Sequence, residues 1–144
     1  MRCKVVVDAN ILFSALLKRE NPYITILMNA DCKFFAPKFV FVELFKHKED
    51  IHRYSSISNE ELLELLSAVL ERIEFISLKQ IDKQTLKKGF ELATVDPLDA
   101  PFISLALFLE AMLWTGDKKL CRHLESMGFN ICITTHELSE FLIS

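Results

Sequence analysis

The stretch KVVVDANIL, residues 4–12, decides the fold of this 144-residue chain. Its three valines form a short run that is apolar on both faces, which is typical of a central strand in a parallel sheet. Residues 11–17 then continue as an apolar helix, and Asp8 and Asn10 lie at the junction. Ligands of an open α/β sheet bind beyond the carboxyl ends of its strands, so this junction is the first place to look for chemistry.

The same order, a short apolar run followed by a helical stretch, recurs along the chain. Further strands are predicted at residues 34–35, 75–76, 112–114 and 131–133. Helices are predicted from Asn21-Pro22, over residues 39–52, behind Ser58, around Leu86, Phe90 and Ala93, and over residues 102–109, 118–127 and 136–142. This alternation predicts βαβ units, with a parallel sheet sandwiched between helices in a single domain over residues 1–144.

Composition excludes several classes of protein. The chain carries 17 Lys and Arg against 20 Asp and Glu, a net charge of −3, so it has no global charge that would attract nucleic acid or an anionic membrane. Its 51% of hydrophobic residues and 26% of charged residues exclude disorder. None of its four cysteines pairs at C-x-x-C spacing, which argues against a zinc cluster. We therefore expect a reduced, soluble, cytoplasmic protein.

Two acids follow predicted strands in the same way. Asp8 comes directly after the valines, and Asp117 follows a strand that ends at Trp114 and turns through Thr115 and Gly116. Either acid alone is explained as a local helix cap. Two strand-terminal acids on strands expected to be neighbours are harder to explain that way, and the Thr115 hydroxyl can orient a neighbouring carboxylate.

Two further acids stand in less regular surroundings. DPLDAP, residues 96–101, opens the buried helix, and a helix that began at Asp96 would place Pro101 in its interior. The regular helix is therefore predicted to begin near Asp99, whose carboxylate would lie at a positive helix end and stay ionised. Glu43 lies in an apolar stretch, where a surface pairing with Lys46 or His47 is as good an explanation as a buried site.

These acids together indicate a metal site, provided that they converge. Their charges could not stay ionised side by side without cations. Hard divalent ions with oxygen ligands, Mg²⁺ or Mn²⁺, suit such a donor set. A pair of such ions is the arrangement that activates water in phosphodiester cleavage. The four candidate ligands are Asp8, Glu43, Asp99 and Asp117.

In order and spacing, four segments of the chain resemble the motifs of PIN domains. They are VVVDANIL at residues 5–12, Glu43, DPLDAPF at residues 96–102 and LWTGD at residues 113–117. The resemblance covers essentially the whole chain. It implies a three-layer α/β/α sandwich with a short, mainly parallel central sheet, and Mg²⁺- or Mn²⁺-dependent endoribonuclease activity on single-stranded RNA.

The resemblance also implies roles for individual residues and partners. The four acids named above match the catalytic and metal-binding positions, and Asn10 and Thr115 match polar positions that support the first and last acids. Asp96 fits either an additional metal-binding acid or a plain cap. Many small prokaryotic members are toxins of toxin–antitoxin pairs, so the implied partners are an antitoxin protein and a second copy of the chain in a homodimer.

Basic residues downstream of the proposed ligands are candidates to hold RNA phosphates. These candidates are Lys46, Lys118, Lys119 and Arg122. Solvated lysines on helix faces explain them about as well.

One alternative remains open, and two other classes are excluded by the sequence. A non-catalytic PIN-fold module that binds RNA or protein would keep the same fold. A haloacid-dehalogenase-like phosphotransferase needs an acid where Asn10 stands, and dinucleotide binding needs a G-x-G-x-x-G motif that the chain lacks.

Overall fold

The structure is a computed structural model that describes residues 3–143. One five-stranded sheet forms its centre, with all strands parallel. The strands are β1 (Cys3–Val7), β2 (Cys32–Pro37), β3 (Ile73–Ile76), β4 (Met112–Trp114) and β5 (Cys132–Ile133). Their order across the sheet is β3-β2-β1-β4-β5. The predicted strands and the parallel sheet are confirmed.

Helices connect the strands and cover the sheet. They are α1 (Ala9–Ala15), α2 (Pro22–Asn29), α3 (Val40–Lys46), α4 (Lys48–Tyr54), α5 (Asn59–Glu71), α6 (Lys83–Leu92), α7 (Ala100–Leu109), α8 (Lys118–Ser126) and α9 (Thr135–Ser139). Short 3₁₀ turns lie at Leu78–Gln80 and Pro97–Asp99. The architecture is the expected α/β/α sandwich.

The central strand is buried on both faces, as its sequence predicts. Val5, Val6 and Val7 are each 0% exposed, and β1 pairs with β2 on one edge and β4 on the other. Helix α7 packs against β1, β2 and β4, and its residues 102–106 are buried. A helix with no polar face is stable here because the sheet and α6 cover it from different sides.

Local capping signals set the starts of several helices. The Asn21 side chain accepts a hydrogen bond from the Ile24 amide at 3.0 Å and begins α2. Ser58 and Glu61 form a reciprocal capping box at the start of α5. Both starts are where the sequence predicts them, because a cap and its partner lie within three residues of each other.

The predicted single helix over residues 39–52 is wrong, since the structure has two helices there. His47 lies between α3 and α4 with φ −98° and ψ 9°, outside the helical region. The closing helix is also shorter than predicted: α9 ends at Ser139, and Leu142 forms a β-bridge with Ala30 instead. In both places a tertiary contact or a change of direction overrides local helix propensity.

The predicted inward face of α6, with Leu86, Phe90 and Ala93, is correct except at Phe90. Leu86 packs against the core and Ala93 is buried, but Phe90 is 64% exposed and the buried residues beside it are Gly89 and Leu92. A Cβ built on Gly89 would lie 2.9 Å from the Ala100 carbonyl oxygen and would run into the Ser104 side chain. The missing side chain therefore allows α6 and α7 to pack closely at this point.

Cys121 on α8 and Cys132 on β5 form a disulfide, with their Cα atoms 5.9 Å apart. This pairing differs from the reduced state expected for the chain, because the fold brings together two cysteines whose sequence spacing gives no such signal. Among residues 3–143, the structure has no helix that combines the length and the apolar character needed to cross a bilayer.

Replacing Gly89 by Ala should lower the free energy of unfolding by about 1–2 kcal/mol. Overpacking against α7 costs about 1–3 kcal/mol, and the better helix propensity of Ala returns only part of it. Gly116→Ala is the matched control, because a Cβ there meets nothing within 4 Å. Urea unfolding of both variants checks this, and a Gly89→Ala protein as stable as the parent would contradict the close packing.

Candidate active site

The order in which strands are added to the sheet reverses direction at β1. The chain steps outward from β1 to β2 and β3, and then crosses back to place β4 on the other side of β1. The Asp8 amide donates to the Trp114 carbonyl oxygen at 3.0 Å, so the ends of β1 and β4 remain joined as the strands finish. Such a switch point leaves a crevice at the carboxyl edge of the sheet.

An acidic cleft of about 420 Å³ opens at this edge, a volume within the usual range of ligand sites. All four predicted acids line it, although they come from four separate parts of the chain. Six carboxylates line the cleft in total: Asp8, Glu43, Asp50, Asp96, Asp99 and Asp117. The remaining lining residues are Ala9, Asn10, Phe13, His47, Leu98 and Phe102.

Asp8 is the most buried of the acids, at 7% exposure. Its Oδ1 accepts from the Ala9 amide at 2.8 Å and its Oδ2 accepts from the Thr115 hydroxyl at 2.6 Å. Burial raises the pKa of Asp8 above its ordinary value, the two hydrogen bonds oppose the rise, and the charges of Asp117 and Glu43 add to it. Asp8 is therefore a carboxylate whose ionisation the protein alone supports poorly.

Thr115 joins the two strand-terminal acids. While its hydroxyl donates to Asp8, the same oxygen accepts from the Asp117 amide at 3.1 Å. Asp117 itself is exposed and caps α8, with its Oδ1 accepting from the Leu120 amide at 3.0 Å. Asp117 is therefore a helix cap, as one explanation of the sequence predicted. Only its Oδ1 takes part in the cap, and its other carboxylate oxygen does not.

Asp96 and Asp99 both line the cleft, but they differ in their local hydrogen bonds. Asp96 is exposed, and its Oδ1 accepts from the Leu98 amide at 3.0 Å, which caps the 3₁₀ turn. Asp99 stands at the start of α7 without a side-chain capping bond. Burial raises the pKa of Asp99 to about 7, and the charges of Asp8, Asp96, Asp117 and Glu43 contribute to the rise.

Glu43 is mostly buried, with only 12% of its side chain exposed. Its Oε1 lies 3.9 Å from the Lys46 ammonium, which is too long for a hydrogen bond, and this buried oxygen has no hydrogen-bond partner. A buried carboxylate oxygen without a partner is costly. The surface pairing with Lys46 therefore describes Glu43 only in part, because the exposed lysine leaves the oxygen unsatisfied.

The donor chemistry of the cleft fits a hard divalent cation. Carboxylate oxygens are the ligands that Mg²⁺ and Mn²⁺ prefer, and the orphaned Glu43 oxygen is the kind of atom that a cation would satisfy. Within residues 3–143, however, no group of three or more Asp, Glu, His or Cys side chains is gathered closely enough to hold a metal as it stands. Charge repulsion among the carboxylates favours such a spread arrangement.

The predicted basic residues do not line the cleft. Lys118 and Arg122 line a separate groove near β5, Lys119 is exposed on α8, and Lys46 reaches only the edge near Glu43. Asn10 does line the cleft. Among the described residues it makes no hydrogen bond to Asp8, so the support predicted for the first acid comes from Thr115 instead.

Sequence reasoning missed several lining residues. The sequence patterns do not single out Asp50, Phe13 or Leu98, and they favour a surface position for His47. The spacing of Glu43, His47 and Asp50, at i, i+4 and i+7, would place them on one face of a continuous helix. They line one cleft even though the helix breaks at His47.

Comparisons with known proteins agree with this architecture. A family model described as "PIN domain" matches residues 6–132. The crystal structure of PAE2754 from Pyrobaculum aerophilum is similar to the chain with a TM-score of 0.65 and 14% sequence identity, covering 96% of this chain and 89% of that one. At this identity the similarity shows the fold alone. A comparison with curated protein sequences gives no match.

The metal-free protein should lose stability as the pH rises from 3.8, the ordinary value of Asp99, to about 7. Because its folded pKa is raised, Asp99 favours folding when protonated, and that contribution is lost as pH rises through the folded pKa. Asp99→Asn should make the loss of stability with rising pH less steep. Part of that loss should remain, because the pKa of Asp8 is also raised.

Denaturation in chelator between about pH 4 and pH 8 checks this dependence. The control is Asp82→Asn, at a fully exposed cap whose pKa is lowered rather than raised by its bonds to Thr85. The same decline in the parent and in Asp99→Asn would show that Asp99 does not carry the effect.

Proposed function

The chain belongs to the PIN-domain family, and we propose that it is a Mg²⁺- or Mn²⁺-dependent endoribonuclease that cleaves single-stranded RNA. The observation that carries the proposal is the meeting of Asp8, Glu43, Asp99 and Asp117 in one cleft at the switch point of the sheet. The orphaned Glu43 oxygen and the raised pKa values of Asp8 and Asp99 support it, since each marks a carboxylate that lacks a compensating positive charge.

The four acids would hold the metal, and the chain supplies the groups that orient them. Thr115 fixes the carboxylate plane of Asp8 through its hydroxyl and positions the Asp117 backbone through the same oxygen. The raised pKa of Asp99 means that protonation would compete with metal binding there, because a metal ligand must be deprotonated. A divalent ion held by these acids would stabilise negative charge on the phosphate and lower the pKa of a water molecule.

The substrate part of the proposal rests on the surface around the cleft. The cations Lys46, Lys118, Lys119 and Arg122 are exposed on α3, the helix of Glu43, and on α8, which follows Asp117, outside the acidic cleft, and such residues can hold phosphates without entering it. Protein partners, an antitoxin and a second copy of the chain, are also proposed. The feature that supports a protein partner is the exposure of Phe41, Val42 and Phe45 on α3.

A non-catalytic binding module of the same fold is the second candidate. The observation that favours it is that the acids, over residues 3–143, are not gathered into a ready metal site. The two candidates differ in one measurable property, which is metal-dependent cleavage.

Asp8→Asn should reduce chelator-sensitive cleavage of single-stranded RNA by more than about 100-fold, because loss of a residue that merely orients a metal ligand already costs about 10- to 100-fold. Asn caps helices as well as Asp does, so the fold should persist. Asp82→Asn makes the same change at a cap outside the cleft and should cleave like the parent. Cleavage by purified Asp8→Asn at the parental rate would defeat the assignment.

Glu43→Gln should reduce the rise in melting temperature that Mn²⁺ gives, because a ligand is lost and linkage to binding weakens. Without metal, this variant should be as stable as the parent or more stable, since one repelling charge is removed. Glu91→Gln, at an exposed site on α6, is the control. A surface Glu43 predicts a loss of about 0.5 kcal/mol or less and an unchanged Mn²⁺ shift.

A further inference from the structure

Two aromatic rings meet within the lining of the acidic cleft. Phe13 on α1 and His47, between α3 and α4, have ring centroids 5.5 Å apart and planes inclined at 70°. Both residues line the cleft. The metal-binding and orienting roles proposed above use neither ring, so the pair requires a separate explanation.

The two rings are held in place from different sides. Phe13 is partly buried and packs against the hydrophobic core. The His47 side chain is half exposed, and Asp50 Oδ2 lies 3.6 Å from its Nδ1. The backbone break between α3 and α4 sets the position of His47. His47 is therefore the accessible ring of the pair, and Phe13 joins it to the core.

The charge of the cleft limits how a nucleic acid can be held there. Six carboxylates line it, and its lining, over the described part of the chain, includes no Lys or Arg. Phosphates near the acids thus gain nothing from cationic side chains of the cleft itself. A nucleobase differs, because each base has an uncharged π-face that stacks on His or Phe whatever its sequence.

We propose that His47, supported by its edge contact with Phe13, forms a base-stacking subsite that holds one unpaired nucleobase beside the acids. The inference rests on the proposed ribonuclease function and defines its substrate more closely. A base within a duplex is already stacked on its neighbours and must be extruded at a cost before it can reach such a surface. The subsite therefore selects single-stranded over double-stranded nucleic acid, with little preference among bases.

The probe is a fluorescein-labelled single-stranded oligoribonucleotide of about six nucleotides, together with a series in which one nucleotide at a time is abasic. Binding to the full chain is measured by fluorescence anisotropy in Ca²⁺, an oxygen-seeking cation. For the parent, removal of the base at one position should weaken binding by about 5- to 150-fold, as expected for one lost stacking contact. Removal elsewhere should have little effect.

Substitutions of His47 separate stacking from hydrogen bonding. His47→Ala should weaken binding of the intact oligonucleotide and should be insensitive to abasic replacement at that position. His47→Phe retains an aromatic ring and should bind like the parent, whereas His47→Gln, which retains a hydrogen-bonding group, should behave like His47→Ala. His136→Ala is the control, since that exposed histidine on α9 lies outside the cleft. The melting temperature of each variant verifies that it is folded. Phe13→Leu removes the second aromatic ring and keeps an apolar side chain of similar size.

Several outcomes would overturn the subsite. They are an abasic series with no position-dependent loss, His47→Ala binding like the parent, His47→Gln binding better than His47→Phe, or no measurable binding of the oligonucleotide by the parent. The proposed function fails separately. If metal-dependent cleavage is absent but the base-dependent, His47-dependent binding is found, the subsite stands and the nuclease does not. If metal-dependent cleavage is found but no abasic position weakens binding, the nuclease stands and the subsite does not.

Discussion

Burial of β1 on both faces is the constraint on which the rest of the structure depends. A strand whose valines are fully shielded needs a neighbour on each edge and a layer of helices above and below. The first polar residue then stands where the strand leaves the sheet. Asp8 is therefore held at the carboxyl edge, against the end of β4, and every other part of the cleft is assembled around that point.

The acidic cleft lowers the stability of the fold. Burial and mutual repulsion raise the pKa values of Asp8 and Asp99, and the Glu43 oxygen is buried without a partner. Groups of this kind cost folding free energy, and they are characteristic of sites that bind a charged ligand. Thr115 limits the cost at Asp8 by donating a short hydrogen bond, and it links the acids of two strands that are far apart in sequence.

The turn at His47 adds an aromatic contact to the cleft. His47 lies between α3 and α4, and its ring contacts that of Phe13 on α1. One rim of the cleft thus combines carboxylates with aromatic rings. We infer three roles: the carboxylates bind the metal, the rings bind a base, and lysines outside the cleft bind more distant phosphates.

The sequence by itself determined the strands, most helix starts, the parallel sheet and the four acids that meet in the cleft. Those features follow from signals within a few residues, such as the valines before Asp8 or the capping box at Ser58, and from motifs in a fixed order. Only the tertiary structure decided the strand order, the helix break, the exposure of Phe90 on α6, the disulfide and the aromatic rim. Each of these depends on contacts between residues that lie far apart in the chain. Gly89 against α7 and Phe13 beside His47 are such contacts, and no local pattern records them.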